Sequence, residues 1–559
     1  MARTKLYVIV ALMFYALVVL LRGNLPRLIP GFCTIAILAP VVTQCRAQAN
    51  NVYIAQTAAG SANGSSCSSP YAVNYFNSPA NWTSGTPSGA QIGPGTTVHL
   101  CGVFSVPAGT SNFLEFQGNG AKGKPVTLLF EPGAVLSSPY WSGPAINLRG
   151  KSYVTVDGGT NGIIQATANG TNLRNQVDDG ECVVSQATQA TDVIVQNLTC
   201  SNLYIDASQA DSGGEDTYGI DIWGTSNLTI RHNTIHDVKW GIRNSYSTGK
   251  SYSNLTVSGN TIYDIDHGWF ATDSSSSGSA VMSGFYVFSN TIHDFQNWDN
   301  SGNRNHHDAF HLNTNSASSH FSNVFLYNNY VYGAIGSYMN SLFFSYPASP
   351  ASESNVWVFN NLFVNSSPTY CMANGFVALV GVGTQYVLNN TFLSRHTSCT
   401  ELSRQQESGY IAEDGSTGIT NENNIFINTT SRALQFSPAV GRIMATDFND
   451  FYENDSWEYN GSSYATLAGW MRASSFPIFD AHSITANPQL STSYVPQAGS
   501  AVIGRGANLS LLCSGQPNPG LGALCSDKGG HTRPSTGGWD MGAYTSAAAG
   551  STSLSETIQ

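Results

Sequence analysis

The stretch NWDNSGNRNHHDAFHLN, from Asn297, holds the densest set of proton-moving side chains in this chain. It contains Arg304, His306, His307, Asp308 and His311, and an earlier block, HGWFAT, adds His267. Imidazole is the side chain most readily poised between two protonation states near neutrality, so the cluster reads as a set of general acid–base groups. The plainer reading is that single members cap turns or decorate the surface. A second stretch, DASQADSGGEDTYGID from Asp206, is rich in carboxylates. There Asp211, Glu215, Asp216 and Asp221 offer the oxygen ligands that Ca2+ takes, although their spacing is not that of an EF-hand. A solvated acidic loop is the competing reading.

What positions these residues is a repeat. The blocks NLTIRHNTIHD (Asn227), NLTVSGNTIYD (Asn254), GFYVFSNTIHD (Gly284), NVFLYNNYVYG (Asn323), NVWVFNNLFVN (Asn355) and TQYVLNNTFLS (Thr384) align on one Asn. That residue is Asn233, Asn260, Asn290, Asn329, Asn361 and Asn390, with weaker echoes at Asn197 and Asn424. Each Asn separates two apolar alternations of period two, the signature of strands, and the steps vary as they do in a solenoid. An inward Asn at a fixed place in each rung is satisfied by its neighbours above and below and by turn backbone. The expected fold is all-β, a parallel β-helix.

These blocks resemble the right-handed parallel β-helix repeats of the pectate-lyase-like superfamily, over about Val126 to Tyr544. The closing segment, AHSITANPQL, SAVIGRG and RPSTGGWDMGAY, resembles that of exported bacterial β-helix proteins, some of which degrade polysaccharides. The resemblance implies a polysaccharide lying along one sheet of the solenoid. A third strand recurs in the rungs YGIDIWG, WGIRNS, HGWFAT, DAFHLN, NSLFFS and NGFVAL. Its third position is apolar throughout, so the fourth faces out: Asp221, Arg243, Phe270, His311, Phe343 and Val377. Trp223 and Asn313 lie two positions further along the same face.

For a lyase acting on an acidic polysaccharide, this column assigns His311, His307 or His267 as base. Arg243 or Ca2+ neutralises the uronate carboxylate, and Asp308 belongs to the same catalytic set. Asp221, Trp223, Phe270, Arg304, Asn313 and Phe343 are the expected substrate contacts. The alternatives are a β-helix glycoside hydrolase and a non-catalytic glycan-binding or adhesive solenoid. Asp221 and Asp308 lie three rungs apart, about 14 Å, beyond the separation of a hydrolase pair, while Asp264 or Asp266 with Asp308 comes closer.

With 41% hydrophobic and 10% charged residues and 55 glycines, the composition suits a solenoid with polar corners and few ion pairs. A net charge of −11 and thinly spread basic residues argue against nucleic acid as a partner. Apolar runs at Leu6–Leu21 and Leu28–Val42, ending at Ala47-Gln48-Ala49, read as a signal peptide over residues 1–49, the alternative being a retained membrane anchor. Export to the cell surface, the periplasm or the medium follows, with the membrane touched only through that segment and the chain a monomer.

Eight further cysteines fall into close sequential couples, predicting Cys67–Cys101, Cys182–Cys200, Cys371–Cys399 and Cys513–Cys525 as disulfides. No CxxC occurs, so a cysteine zinc site is not indicated. The expected organisation is an N-terminal cap over 50–125, the β-helix over 126–455, a C-terminal cap over 456–545 and a disordered tail over 546–559. YATLAGWMRAS, from Tyr464, is the best helix candidate, and Asp540 reads as structural.

Overall fold

The computed structural model describes residues 50–169, 180–206, 216–299, 306–396, 407–429, 431–475 and 477–546. Strands wind in parallel register into a β-helix with three faces. On the first face, Pro144–Asn147, Glu181–Ser185, Tyr218–Trp223, Thr234–Tyr246, Thr261–Asp273, His307–Asn313, Met339–Ser345, Gly375–Val380 and Ser408–Glu413 stack in succession. Their inward column runs Ile146, Val183, Ile220, Ile242, Trp269, Phe310, Phe343, Val377 and Tyr410, each at most 1% exposed. Period-two alternation sends every second side chain into this core.

The Asn ladder forms as expected and is longer than its sequence signal. From Asn233 through Asn260, Asn290, Asn329, Asn361, Asn390 and Asn424 to Asn449, each Nδ2 donates to the next Oδ1 at 2.9–3.2 Å. Each backbone N–H in the run donates to that same oxygen. Asn197 is not a rung of it: its backbone is left-handed (φ 59°) and its amide turns to Asp157 Oδ1 at 2.9 Å. The ladder ends instead at the Leu198 N–H, which donates to Asn233 Oδ1. The residue before each ladder Asn is left-handed at His232, Gly259, Ser289, Asn328, Asn360, Asn389, Asn423 and Phe448, making the corner that turns the Asn inward.

Two expectations are corrected at the C-terminal end. The solenoid is closed by the hairpin Trp457–Tyr459 with Ser462–Tyr464, followed by Trp470 and Phe479, whose rings pack on Phe436, Tyr459 and each other. The helix expected in YATLAGWMRAS shrinks to Leu467–Trp470, capped by Thr466. Beyond about residue 484 the chain does not cap the end. It runs back along the outside of the second face, whose strands include His320–Tyr327, Glu353–Phe359 and Gln385–Leu388, burying Leu509, Cys513, Leu524 and Trp539 against Phe325, Trp357, Phe359 and Leu388. Asn360 and Asn389, at the corners, tie it down through Ser526 and Asp540 carbonyls. Asp540 is structural, accepting from the Gly504 N–H and from Ser546.

Disulfides Cys67–Cys101, Cys182–Cys200 and Cys513–Cys525 are formed. Cys399 lies outside the described residues, as do the expected signal segment 1–49 and the tail from 547. Disulfides of this kind fit an oxidising, extracellular environment. Among the described residues, no helix is long and apolar enough to cross a membrane.

Glu353, on the second face, is fully buried beside the Ser345 hydroxyl, and burial pushes its carboxyl from 4.5 up to about 8. The folded chain therefore holds a proton that the unfolded chain has released between those two values. The contribution of Glu353 to stability is full below this window and is lost as pH rises through it. Glu353→Gln should make that slope shallower: its unfolding midpoint matches the parent near the low end and exceeds it above the high end. A difference between variant and parent that does not grow across the window contradicts the assignment.

Candidate functional site

The register of the first face places Glu115, Asn147, Val184, Asp221, Arg243, Phe270, His311, Phe344, Ala378 and Ile411 in one outward column. Here the sequence reading needs a correction. The strand Met339–Ser345 carries one extra residue, because His307 pairs with Met339 but Asp308 pairs with Ser341. Everything after that bulge slips by one place, which exchanges faces. Phe343, expected as a substrate contact, is 0% exposed in the core, and Phe344 takes its place beside His311. Val377 moves inside for the same reason, and Ala378 takes the register position beside Phe344.

Asp221 and Arg243 pair as neighbours. Arg243 Nε and Nη2 donate to the two Asp221 oxygens at 2.8 and 2.7 Å, and Nη1 donates to the Tyr218 hydroxyl at 2.5 Å. The guanidinium lies over the Tyr218 ring at 3.8 Å, and Trp223 Nε1 also donates to Asp221. Burial alone would favour neutral Arg243, but Asp221 outweighs it and fixes the charge. Asp216 binds Lys239 Nζ at 2.8 Å and Trp240 Nε1 at 3.2 Å. Burial raises the Asp216 pKa, but these donors more than offset it and hold it low. The two described members of the expected Ca2+ set thus already bind protein cations. Asp211 and Glu215 lie outside the described residues, as does Arg304.

The histidines converge one to two rungs further on. His267, Asp308, His306 and His311 each bring one ligand-type atom to within 4.8 Å of all the others. Asp308 Oδ2 is 3.0 Å from His306 Nε2, 3.2 Å from His311 Nδ1 and 3.6 Å from His267 Nε2. Its other oxygen is fixed by the Asn340 amide and the Ser341 N–H, both at 3.1 Å. The remaining nitrogen of His267, Nδ1, is 3.3 Å from Asp266 Oδ2. Behind it, His307 is 0% exposed and spans Asp266 Oδ1 at 2.5 Å and Asp299 Oδ1 at 2.9 Å. With both ring nitrogens occupied and no exposed surface, His307 positions Asp266 and does not reach a substrate.

Burial disfavours charge on His267 and His307, yet their flanking carboxylates prevail and push both up to about 9. Burial likewise opposes ionised Asp266 and Asp308, and the histidines hold both carboxyls low. His311 goes the other way, lowered by burial and by its neighbours His267 and His306 against the pull of Asp308.

Aromatic rings frame this cluster. Trp240 stacks on His267 at 4.2 Å, Phe270 meets His311 edge-on at 4.8 Å, and Phe344 does so at 5.2 Å. Tyr346, 51% exposed, stacks on Phe344. Asn313 is half-buried one strand from Thr272 on the same face. Toward the N-terminal rungs the face continues into a polar hollow of about 630 Å³ lined by Glu115, Asn147, Arg149, Glu181 and Gln186.

Sequence reasoning named His306 in the histidine cluster but gave it no place on the face; it is 46% exposed, the most accessible ring among His267, His306, His307 and His311. The same reasoning missed Asp266 and Asp299 as supports and Trp240, Phe344 and Tyr346 as rim. His306 was visible in the loop but precedes the strand, so alternation alone did not assign it a direction.

No protein-family model matches the sequence, and no curated protein is significantly similar to it. A solved structure titled "Crystal structure of pectate lyase Pel9A" matches over 89% of this chain and 96% of its own, at 14% identity and a TM-score of 0.34. At that score the likeness adds nothing to the fold, which stands on the strand register.

Proposed function

We propose that the chain binds an acidic polysaccharide along its first face and cleaves it by β-elimination, with the His267/His306/Asp308/His311 cluster as reaction centre. The observation that carries the reading is His306: an exposed imidazole, held beside a buried carboxylate, in the middle of an aromatic-rimmed face. Such a ring is placed to take the proton beside a uronate carboxylate. Trp240, Phe270, Phe344 and Tyr346 offer apolar surface to sugar rings, and the polar hollow offers further subsites.

Hydrolysis fits the same face less well. A hydrolase pair must flank the scissile bond. Here Asp266, on the rung next to Asp308, lies buried and bound to His307. A purely adhesive face would need the rim but not the proton-transfer group.

Elimination also requires positive charge against the substrate carboxylate. Incubation with pectate, alginate and chondroitin, followed by the ultraviolet absorbance of unsaturated uronate, tests the reading.

A further inference from the structure

We infer that His267 Nε2, His306 Nε2, His311 Nδ1 and Asp308 Oδ2 bind one divalent transition-metal ion of the zinc class. The inference rests on the proposed reaction centre for its consequence in catalysis, but its geometry stands alone. The separations around Asp308 Oδ2, 3.0, 3.2 and 3.6 Å, have hydrogen-bond lengths at their short end without hydrogen-bond directions. Asp308 Oδ2 and His311 Nδ1 are buried and make no hydrogen bond. A buried carboxylate oxygen left so is costly unless something else occupies the point that the lone pairs share. A tetrahedral ion with bonds of about 2.0–2.1 Å spaces its ligands about 3.3–3.4 Å apart. The three spacings from Asp308 Oδ2 bracket that value, and all four ligand atoms lie within 4.8 Å of one another.

The donor set selects the ion. Three imidazoles and one carboxylate suit Zn2+ and its neighbours, whereas Ca2+ and Mg2+ take oxygen ligands. The surroundings also match what a metal-bound imidazole needs, since such a ring usually offers its other nitrogen to a carboxylate. His267 turns Nδ1 toward Asp266 Oδ2 at 3.3 Å, and Asp266 is held through its other oxygen by His307, which Asp299 binds in turn. Asp308 is likewise fixed through its other oxygen.

The exposures divide the ligands. His267, Asp308 and His311 are at most 9% exposed, and the His306 side chain is 46% exposed. Three anchored ligands with one replaceable ligand is the pattern of a site that opens a position to substrate. Such an ion would supply the positive charge that elimination needs, and His306, as the exposed ligand, would be free to act as the base once a substrate carboxylate replaced it.

The test uses purified protein stripped with a chelator and titrated with Co2+, then Zn2+. Expected are intense visible Co2+ bands of tetrahedral type saturating at one equivalent, bleached by one equivalent of Zn2+. Asp308→Asn should abolish the bands, and Asp266→Asn should weaken Zn2+ binding by about 10–100-fold with the circular dichroism spectrum retained. The exposed variant His306→Ala should still bind, with altered bands. Absence of bands and of binding heat, or binding that survives Asp308→Asn, would overturn the metal site. Metal binding without elimination on any acidic glycan leaves the site standing and removes the lyase reading. Elimination that is insensitive to the chelator does the reverse.

Discussion

Replacing His306 with alanine should slow cleavage of an acidic polysaccharide at saturating substrate by about 10²–10⁴-fold, the usual contribution of a general base. KM should change far less, because the aromatic rim and the polar hollow stay in place. Free imidazole should restore part of the rate, an effect that a merely structural role would not show. The stability change should stay within about 0.5 kcal/mol, since the ring is half exposed and outside the core. His307→Ala makes the contrast. Both of its ring nitrogens are bonded in the buried wall, so its loss should lower stability together with rate, and imidazole should not rescue it.

Asn329→Ala carries the largest expected effect on stability. Asn329 Oδ1 accepts from the backbone N–H and the amide of Asn290, at 3.0 and 3.1 Å. Its own amide donates to the Val287 carbonyl and to Asn361 Oδ1, both at 3.0 Å. All three Asn residues are at most 1% exposed, so no water replaces the lost partner. Orphaning two buried donors and a carbonyl at about 1–3 kcal/mol each, with partial relaxation, gives a loss of about 3–5 kcal/mol. The coils joined at Asn290 and Asn329 carry the His307–Asn313 strand, so metal binding and activity should fall as well. Denaturant unfolding checks this, and a loss under about 1 kcal/mol would mean that the ladder is not what holds the rungs.

The fold was legible because its two rules are local. Alternation marks the strands, and a left-handed corner followed by Asn marks the turns, so the solenoid was readable over Asn227 to Asn428. Asn197 was misleading because the same letter also serves as an outward, left-handed turn residue. The site was legible up to a point of register. Asp221, Arg243, Phe270 and His311 share a column that alternation could place. Phe343 could not be placed, because one unpaired residue in the Met339–Ser345 strand has no sequence mark and reverses every face beyond it. Pairings between distant segments were less accessible still. Asp266 meeting His307, 41 residues apart, depends on how one rung stacks on the next. The C-terminal segment looked like a cap because its composition is the same whether it closes an end or lies along a side.

The most direct test of the central claim is the ultraviolet absorbance of unsaturated uronate while the protein acts on pectate, alginate and chondroitin, run in parallel with the His306→Ala variant. The account predicts a steady rise on at least one of these polymers that is nearly lost in the variant. New reducing ends without absorbance, or absorbance that His306→Ala leaves intact, would contradict it.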